Sequence, residues 1–145
     1  MAKRDIAIVG YGETKVELKG GRSSYDLAGE VLEQIINSTG VSKSEIDGIC
    51  VSETMSETSN PFWAVFMAEM LGLVPTWTQI NGLGGASTIA GIVRAASAIR
   101  DGLCNTVLVI ASDAQSSYPP TEQGLIGGNS SIRPACADPS GYSGS

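Results

Sequence analysis

Residues 79–88 read Gln79-Ile80-Asn81-Gly82-Leu83-Gly84-Gly85-Ala86-Ser87-Thr88. This is a glycine-rich turn that joins a short apolar strand to a long helix of small residues. Its glycines let the backbone run close to a ligand, and the free N–H groups at a helix start favour negative or developing negative charge. We therefore predict that substrate binds here, at Asn81, Gly82, Gly84, Gly85 and Ser87.

Strands and helices alternate on both sides of this turn. Hydrophobic periodicity and capping residues predict three helices, which run from Ser23 or Ser24 to Gly40, from Asn60-Pro61 to about Leu71, and from about residue 84 to residue 101. Apolar runs predict strands over residues 5–10, 47–52, 77–80 and 106–111. This alternation implies right-handed crossovers and a mostly parallel sheet in a layered α/β domain.

Two of these elements are apolar enough to predict how deeply they lie. The helix over residues 84–101 is apolar nearly all round, so we expect it to be central and buried. The strand over residues 106–111 is continuously apolar, which is typical of the middle of a sheet covered on both faces. Because ligands in such sheets gather outside the carboxyl ends of the strands, the turn after Asn81 is well placed to bind one.

Composition predicts the domain organisation. The chain has 145 residues, 42% of them hydrophobic, which suffices for one ordinary domain. Residues 1–115 carry all the predicted helices and strands, whereas residues 116–145 are crowded with glycine and proline and show little periodicity. We expect one α/β domain over residues 1–115, followed by a loop region or an incomplete continuation of the fold.

Charge and hydropathy exclude several function classes. A net charge of -6 argues against nucleic acid as a partner, because neutralising phosphates needs a basic surface. No apolar run approaches the ~18 residues of a membrane span, and the first residues do not read as a signal peptide, so we expect a soluble, cytoplasmic protein. The chain has no histidine, so chemistry written for it alone does without the commonest general acid or base.

Candidate nucleophiles are few. The three cysteines are odd in number and widely spaced, which argues against a disulfide framework or a zinc site, and we expect no metal. Cys50 and Cys104 fall in or beside strands and are interpreted as core residues, and Cys136 as a loop residue. Ser87 is the hydroxyl nearest to the turn, but no histidine supplies a base, so a serine that bonds local backbone is the favoured interpretation.

Other chemical candidates carry weaker signals, and no catalytic residue is assigned. Four carboxylates near strand ends or the second helix are candidate acids or bases, although solvated surface is the commoner role: Glu53, Glu57, Glu69 and Asp113. Large apolar residues of the second helix are interpreted as core or subunit interface: Phe62, Trp63, Phe66, Met67 and Met70. A glycine pair at residues 10–12 lacks the third glycine and the following helix of a dinucleotide-binding turn.

A family resemblance rests on four stretches. These are residues 9–15 (Val-Gly-Tyr-Gly-Glu-Thr-Lys), Arg22-Ser23 before the first helix, Ile46-Asp47-Gly48 before the second strand, and residues 81–90 followed by 98–102. Over roughly residues 5–115 the chain resembles the thiolase superfamily, in the branch of sterol-carrier thiolases and lipid-transfer-protein-like acetyl-CoA acetyltransferases. The resemblance implies thiolase-like α/β/α layers, of which this sequence covers the N-terminal half. In the family a second, similar half carries the catalytic histidine and another cysteine.

The chain departs from the family pattern in the glycine-rich turn itself. That pattern reads Asn, two residues, Cys, Ala, Ser or Thr, Gly, two residues and Ala, and Gly84 stands where the family has its nucleophilic cysteine. Thiolases place that cysteine at a helix start because the positive end of the helix steadies the thiolate that accepts the acyl group. Glycine accepts no acyl group, so the resemblance implies the scaffold without the covalent step.

The resemblance implies an acyl-CoA-binding protein that makes or breaks a carbon–carbon bond. It acts either as an acyltransferase or, lacking the cysteine, in the manner of retro-aldolases that cleave branched acyl-CoA thioesters with the help of a second half and a small partner protein. The coenzyme A thioester is then the substrate, and no separate cofactor is expected. The resemblance also implies a homodimer or higher oligomer. The alternative is a non-catalytic thiolase-like subunit that binds lipid or stabilises a catalytic partner.

Overall fold

The computed structural model describes residues 5–18, 20–56 and 60–115. Within them, three helices lie at Ser24–Thr39 (α1), Trp63–Leu71 (α2) and Ser87–Arg100 (α3), and three strands at Gly48–Ser52 (β1), Trp77–Asn81 (β2) and Val107–Ile110 (β3). Single 3-10 turns occupy Lys43–Glu45 and Gly84–Ala86. These elements match the three predicted helices and three of the four predicted strands.

The strands form a parallel sheet in the order β2-β1-β3. In the register, Gly48 of β1 pairs with Trp77 of β2 and with Val107 of β3, and all five residues of β1 are buried. The chain passes from β1 to β2 through α2 and from β2 to β3 through α3, because parallel neighbours need a crossover. The predicted α/β class with a mostly parallel sheet is confirmed.

Helices cover both faces of this sheet. Side chains alternate along a strand, so Ile49 and Val51 share one face of β1 while Cys50 lies on the other. Ile49 and Val51 belong to one buried cluster with the apolar faces of α1 and α2. On the opposite face, Gly91 of α3 comes so close to Cys50 and Val109 that a Cβ added to it would lie 3.3 Å from the Cys50 sulfur. The described residues thus form the expected α/β/α layers.

Helix α1 begins and ends at local sequence signals. The Ser23 hydroxyl accepts the Asp26 N–H at 3.1 Å, and the Asp26 carboxylate accepts the Ser23 N–H at 2.9 Å, which is a capping box. Hydrogen bonds from the Ser23 hydroxyl and N–H lower the pKa of Asp26. The helix ends at Gly40, whose φ of 75° is a left-handed conformation that glycine adopts at little cost. Both predicted ends are confirmed.

Helix α2 begins later than predicted. Asn60 Oδ1 accepts the Phe62 N–H at 3.0 Å, and the Asn60 carbonyl accepts the Trp63 N–H at 3.2 Å, so Asn60 and Pro61 lie in a turn before the helix. Trp63 is 2% exposed and donates its indole N–H to the Ser52 carbonyl at 3.0 Å. This hydrogen bond ties the first turn of α2 to the carboxyl end of β1. Because the tryptophan is anchored in this way, the helix begins at Trp63.

Helix α3 is not buried all round, so that prediction was wrong. A 3-10 turn takes its first three predicted residues, and the α-helix buries the small residues Ser87, Gly91, Ala95 and Ala98 on one face. Ile89 and Val93, by contrast, are 65% and 62% exposed. Small residues let the helix approach the sheet closely, and within the described residues nothing packs on its outer face. Composition alone does not distinguish a helix buried all round from one with an unpaired apolar face.

Two strand predictions also differ from the structure. Residues 5–10 form no strand, and Ile8 and Val9 are 76% and 67% exposed. A strand needs a neighbour to satisfy its N–H and C=O groups, and no described segment pairs with this one. Likewise β3 lies at the edge of the described sheet and buries only alternate residues, Leu108 and Ile110, whereas β1 is the strand covered on both faces.

Two predictions concern the ends and the hydropathy of the chain. The loop region over residues 116–145 lies outside the described residues, so the domain boundaries remain predictions. Among the residues described, no helix is both long and apolar enough to cross a membrane.

Candidate functional site

The glycine turn, defined here as residues 82–86, lies at the carboxyl edge of the sheet. Strand β2 ends at Asn81, which pairs with Ser52 at the end of β1, and α3 begins at Ser87. All five residues of the turn are exposed, whereas Asn81 and Ser87 on either side of it are 3% and 2% exposed. The structure therefore brings the predicted site residues together and divides them into an exposed turn and two buried supports.

Asn81 supports the turn from below. Its amide nitrogen donates to the Cys50 sulfur at 3.2 Å and to the Ser87 carbonyl at 3.4 Å. These bonds tie the end of β2 to the central strand and to the first residue of α3. Asn81 therefore positions the turn, and a direct contact between Asn81 and substrate remains a prediction.

Ser87 closes the turn from its other side. Its hydroxyl oxygen accepts the Leu83 N–H at 2.8 Å, and its own N–H donates to the Gly84 carbonyl. The interpretation of Ser87 as a serine that bonds local backbone is confirmed. With its side chain buried and already bonded to the turn, Ser87 is poorly placed to act as a nucleophile.

Gly84 and Gly85 form the open part of the turn. Gly84 has a φ of 56°, in the left-handed region that favours glycine, and a Cβ added to either glycine would meet nothing within 4 Å. Within the described ranges, neither residue donates its backbone N–H to another group. These two N–H groups lie just before α3 in exposed residues, and the binding of negative charge to them remains a prediction.

Glu53 is the candidate acid or base that the structure places against the turn. Its N–H donates to the Asn81 carbonyl at 2.8 Å, which extends the pairing of β1 and β2 by one residue. Its carboxylate lies directly over Gly82: a Cβ added to Gly82 would lie 2.6 Å from the Glu53 carboxyl carbon and would overlap one of its oxygens. This contact between two loops is invisible in the local sequence pattern.

The other carboxylate candidates lie elsewhere. Asp113 accepts the Met55 N–H at 2.9 Å and the Ser56 hydroxyl at 2.7 Å, so it holds the loop after β1 against the loop after β3. Glu69 is on the exposed side of α2, and Glu57 lies outside the described residues. Among the described acidic residues named from the sequence, only Glu53 is recorded in contact with the glycine turn.

A cleft away from the turn has a volume of about 160 Å³ and lies between the N-terminal segment and the loop after β3. The guanidinium of Arg22 lines it and is paired with Glu17 and Glu30. Lys15 lines the cleft as well, but so do the carboxylates of Glu17 and Asp113, so the cleft is less suited than the turn to an anionic ligand. Within the described ranges no group of acidic, cysteine or histidine side chains is arranged to hold a metal ion.

Comparison with known proteins places the chain in a family. No protein-family model matches it. Over 108 residues it is 30% identical to the 17-hydroxy-3-oxo-4-pregnene-20-carboxyl-CoA lyase of Mycobacterium tuberculosis, a match that spans 74% of this chain and 27% of the lyase. The solved structure of an Ltp2-ChsH2(DUF35) aldolase superimposes with a TM-score of 0.60 at 26% identity, over 71% of this chain and 26% of that one. The chain belongs to the SCP2-thiolase-like branch of the thiolase superfamily.

A second solved structure shows the same fold. The monomeric SCP2-thiolase-like protein type 1 of Mycobacterium smegmatis superimposes with a TM-score of 0.57 at 21% identity, over 73% of this chain and 23% of that one. The SCP2-thiolase-like chain described here therefore spans about a quarter of the length of the relatives it matches.

The two described cysteines of this SCP2-thiolase-like chain do not replace the missing nucleophile. Cys50 is 1% exposed, and burial raises the pKa of its thiol despite the opposing charge of Arg94. Cys104 is 2% exposed at the amino end of the sheet, where burial and then the charge of Asp47 raise its pKa. Both are core residues, as predicted, since a reactive cysteine needs exposure and a lowered pKa. Cys136 lies outside the described residues.

Proposed function

We propose that this chain is the acyl-CoA-binding part of a thiolase-like protein that breaks or makes a carbon–carbon bond beside the thioester without forming an acyl-enzyme. The observation that carries the proposal is that, within the described residues, the N–H groups of Gly84 and Gly85 have no hydrogen-bond partner. By the family resemblance, this turn stands at the position of the nucleophile loop and lacks the nucleophile.

The turn offers electrostatic stabilisation as its chemistry. Breaking a carbon–carbon bond next to a thioester develops negative charge on the thioester oxygen as an enolate forms. N–H donors fixed in advance at the positive end of α3 stabilise that charge, and removing one such donor from an enzyme typically costs about 2.7–4 kcal/mol of transition-state stabilisation. This role survives the replacement of cysteine by glycine.

The relatives favour cleavage over acyl transfer. One is named a carboxyl-CoA lyase, which describes bond cleavage, and another is named an aldolase, whose reaction makes or breaks a carbon–carbon bond. Acyl transfer of the covalent thiolase type needs a nucleophile that the turn does not carry. The aldolase is named for two components, Ltp2 and ChsH2, which supports the proposal that this protein also works with a partner subunit.

The covalent and non-covalent versions are separated by mass spectrometry. The protein expressed from its complete native reading frame is incubated with acyl-CoA, digested and searched for an acyl adduct. We expect no adduct on the glycine turn of the wild type, together with cleavage of a β-hydroxyacyl-CoA. The Gly85→Cys variant is the positive control, because the φ of residue 85 is not in the left-handed region, the space around it is open and the helix start favours a thiolate. A stable wild-type adduct on the turn would contradict the proposal.

A second candidate function is a non-catalytic subunit that binds lipid or stabilises a catalytic partner. The observation that favours it is the outer face of α2, where Phe62, Val65, Phe66 and Met70 are 45–63% exposed while Trp63 is buried in the core. The interpretation of these large residues as core or subunit interface thus divides between the two faces of one helix. This function predicts a stable complex with a second protein and no turnover by the purified protein alone, and measurable turnover without a partner would exclude it.

A further inference from the structure

We propose that Glu53 is the catalytic base that transfers the proton in the reaction at the glycine turn, with a β-hydroxyacyl-CoA as the substrate class. This inference rests on the proposed function and adds the group that the turn lacks. The turn stabilises charge, but a retro-aldol cleavage also needs a group that removes the hydroxyl proton. Neither histidine nor an exposed cysteine is available for this among the described residues.

The backbone holds Glu53 beside the site. Glu53 follows the last residue of the central strand, and its N–H bond to the Asn81 carbonyl fixes it next to the residue that begins the turn. The residue is exposed, and its carboxylate lies beside Gly82, so it is accessible to a ligand bound at the turn. Within the described residues this carboxylate accepts no hydrogen bond and forms no ion pair, in contrast to the fully engaged carboxylate of Asp113.

The contact with Gly82 shows how close the carboxylate of Glu53 lies to the turn. The φ of Gly82 is not in the left-handed region, so its backbone conformation does not demand glycine. A Cβ added there would meet the carboxyl atoms at the end of the flexible Glu53 side chain, so an alanine displaces the carboxylate without disturbing the backbone. The Gly82→Ala variant therefore tests the position of the carboxylate, whereas the glycine at residue 84 is explained by its φ.

The proposed step conserves atoms and electrons. The Glu53 carboxylate takes the proton of the substrate β-hydroxyl, and the oxygen forms a carbonyl as the bond between the α- and β-carbons breaks. The bonding electron pair passes into the thioester as an enolate, whose oxygen receives hydrogen bonds from the Gly84 and Gly85 N–H groups. Protonated Glu53 then returns the proton to the α-carbon. The products are a ketone and a shortened acyl-CoA, with no oxidant or cofactor consumed.

The test compares four single variants and one double variant of the protein expressed from its complete native reading frame, with its partner subunit where one copurifies. The substrates are branched β-hydroxyacyl-CoA thioesters, from 3-hydroxy-3-methylbutyryl-CoA to larger side chains, and ketone and acyl-CoA products are measured by chromatography. Glu53→Gln removes the base and keeps its shape, and Gly82→Ala displaces the carboxylate. Glu33→Gln and Gly29→Ala are the matched controls, because both residues lie on α1 away from the turn.

We expect Glu53→Gln to lower kcat by about 100-fold or more with little change in KM, since general acid–base catalysis contributes about 10²–10⁴-fold. Gly82→Ala should lower kcat by about 10-fold or more and add little to Glu53→Gln in the double variant, because both changes remove one group. The two control variants should keep the wild-type rate.

The outcomes separate the two proposals. If the wild type cleaves the substrates and Glu53→Gln keeps a rate within about threefold of it, the assignment of Glu53 is wrong while the proposed function stands. If Glu53→Gln is slow but Gly82→Ala multiplies that loss, the carboxylate does not act through its place over Gly82, and the geometric argument fails. If the wild type neither cleaves these thioesters nor exchanges the α-proton of the acyl-CoA product with solvent deuterium, the proposed function and this inference both fail.

Discussion

The two ends of the central strand each carry a carboxylate, and they are held in opposite ways. Asp47 precedes β1 at the amino end, and its side chain accepts the N–H groups of Asn105 and Thr106, both at 2.8 Å, and the Asn105 amide at 2.9 Å. Glu53 follows β1 at the carboxyl end, and its carboxylate accepts no hydrogen bond from a described residue. Between them lies one five-residue strand.

The difference shows how the fold divides its work between two edges. At the amino edge the Asp47 carboxylate accepts hydrogen bonds from the N–H groups just before β3. Cys104 packs against Gly48 beside it. At the carboxyl edge no described residue forms a hydrogen bond with the carboxylate of Glu53 or with the N–H groups of Gly84 and Gly85. Hydrogen-bonding groups that are already satisfied stabilise a structure, and only those left open are available to a substrate.

The largest expected effect is on stability at the amino edge. Asp47→Ala removes several hydrogen bonds to a charged acceptor, so we expect the free energy of unfolding to fall by about 2–4 kcal/mol. Glu53→Ala is the matched control at the other end of the same strand and should change it by no more than about 0.5 kcal/mol, the usual range for a surface substitution. Urea unfolding followed by circular dichroism measures both. Equal losses would remove the proposed division between the two edges.

A smaller effect is expected within the carboxyl edge itself. Ser87→Ala takes away the acceptor of the Leu83 N–H, and we expect it to destabilise the protein by about 1 kcal/mol, the typical net contribution of one hydrogen bond. Because the serine holds the turn without reacting, substrate binding should weaken only as the turn loosens. Ser97→Ala on the exposed side of α3 is the control. If Ser87→Ala abolished turnover at unchanged stability, Ser87 would have a chemical role that its geometry does not indicate.

The smallest expected effect is a pH dependence of stability at the amino edge. Burial acts to raise the pKa of Asp47, but hydrogen bonds from Thr106 and Asn105 outweigh it, so the pKa lies below its ordinary value of 3.8. A carboxyl with a lowered folded-state pKa stabilises the fold above the ordinary pKa, and this contribution is lost as pH falls through the folded-state pKa. The loss of stability between neutral and acid pH should therefore be shallower in Asp47→Asn than in wild type. Parallel pH curves for the two proteins would contradict the assigned cause.

The parts of the fold that were predicted correctly depend on short stretches of sequence. The capping box of Ser23 and Asp26 and the left-handed Gly40 set the ends of α1 within its own residues. The apolar run ending at Ser52 and the glycines after Asn81 likewise predicted a buried strand and a turn between β2 and α3. Each of these signals lies within a few consecutive residues, and local backbone geometry is enough to produce it.

The predictions that were wrong depend on what lies beside each element. Residues 5–10 have a strand pattern but form no strand where no described segment pairs with them, and the apolar run from Val107 to Ile110 lies at the described sheet edge. The exposed Ile89 and Val93 show that an apolar helix face need not find a cover within the described residues. Pairing and burial are properties of neighbours, so a single segment does not encode them.

Sequence by itself determined the α/β fold class of this protein, the place of its glycine turn and the loss of the family nucleophile at Gly84. All three depend on the order of neighbouring residues along the chain. Only the tertiary structure decided which groups surround that turn. The carboxylate of Glu53 reaches Gly82 across 29 residues of chain because parallel strands β1 and β2 end side by side, and strand pairing, rather than any spacing in the sequence, brings them together.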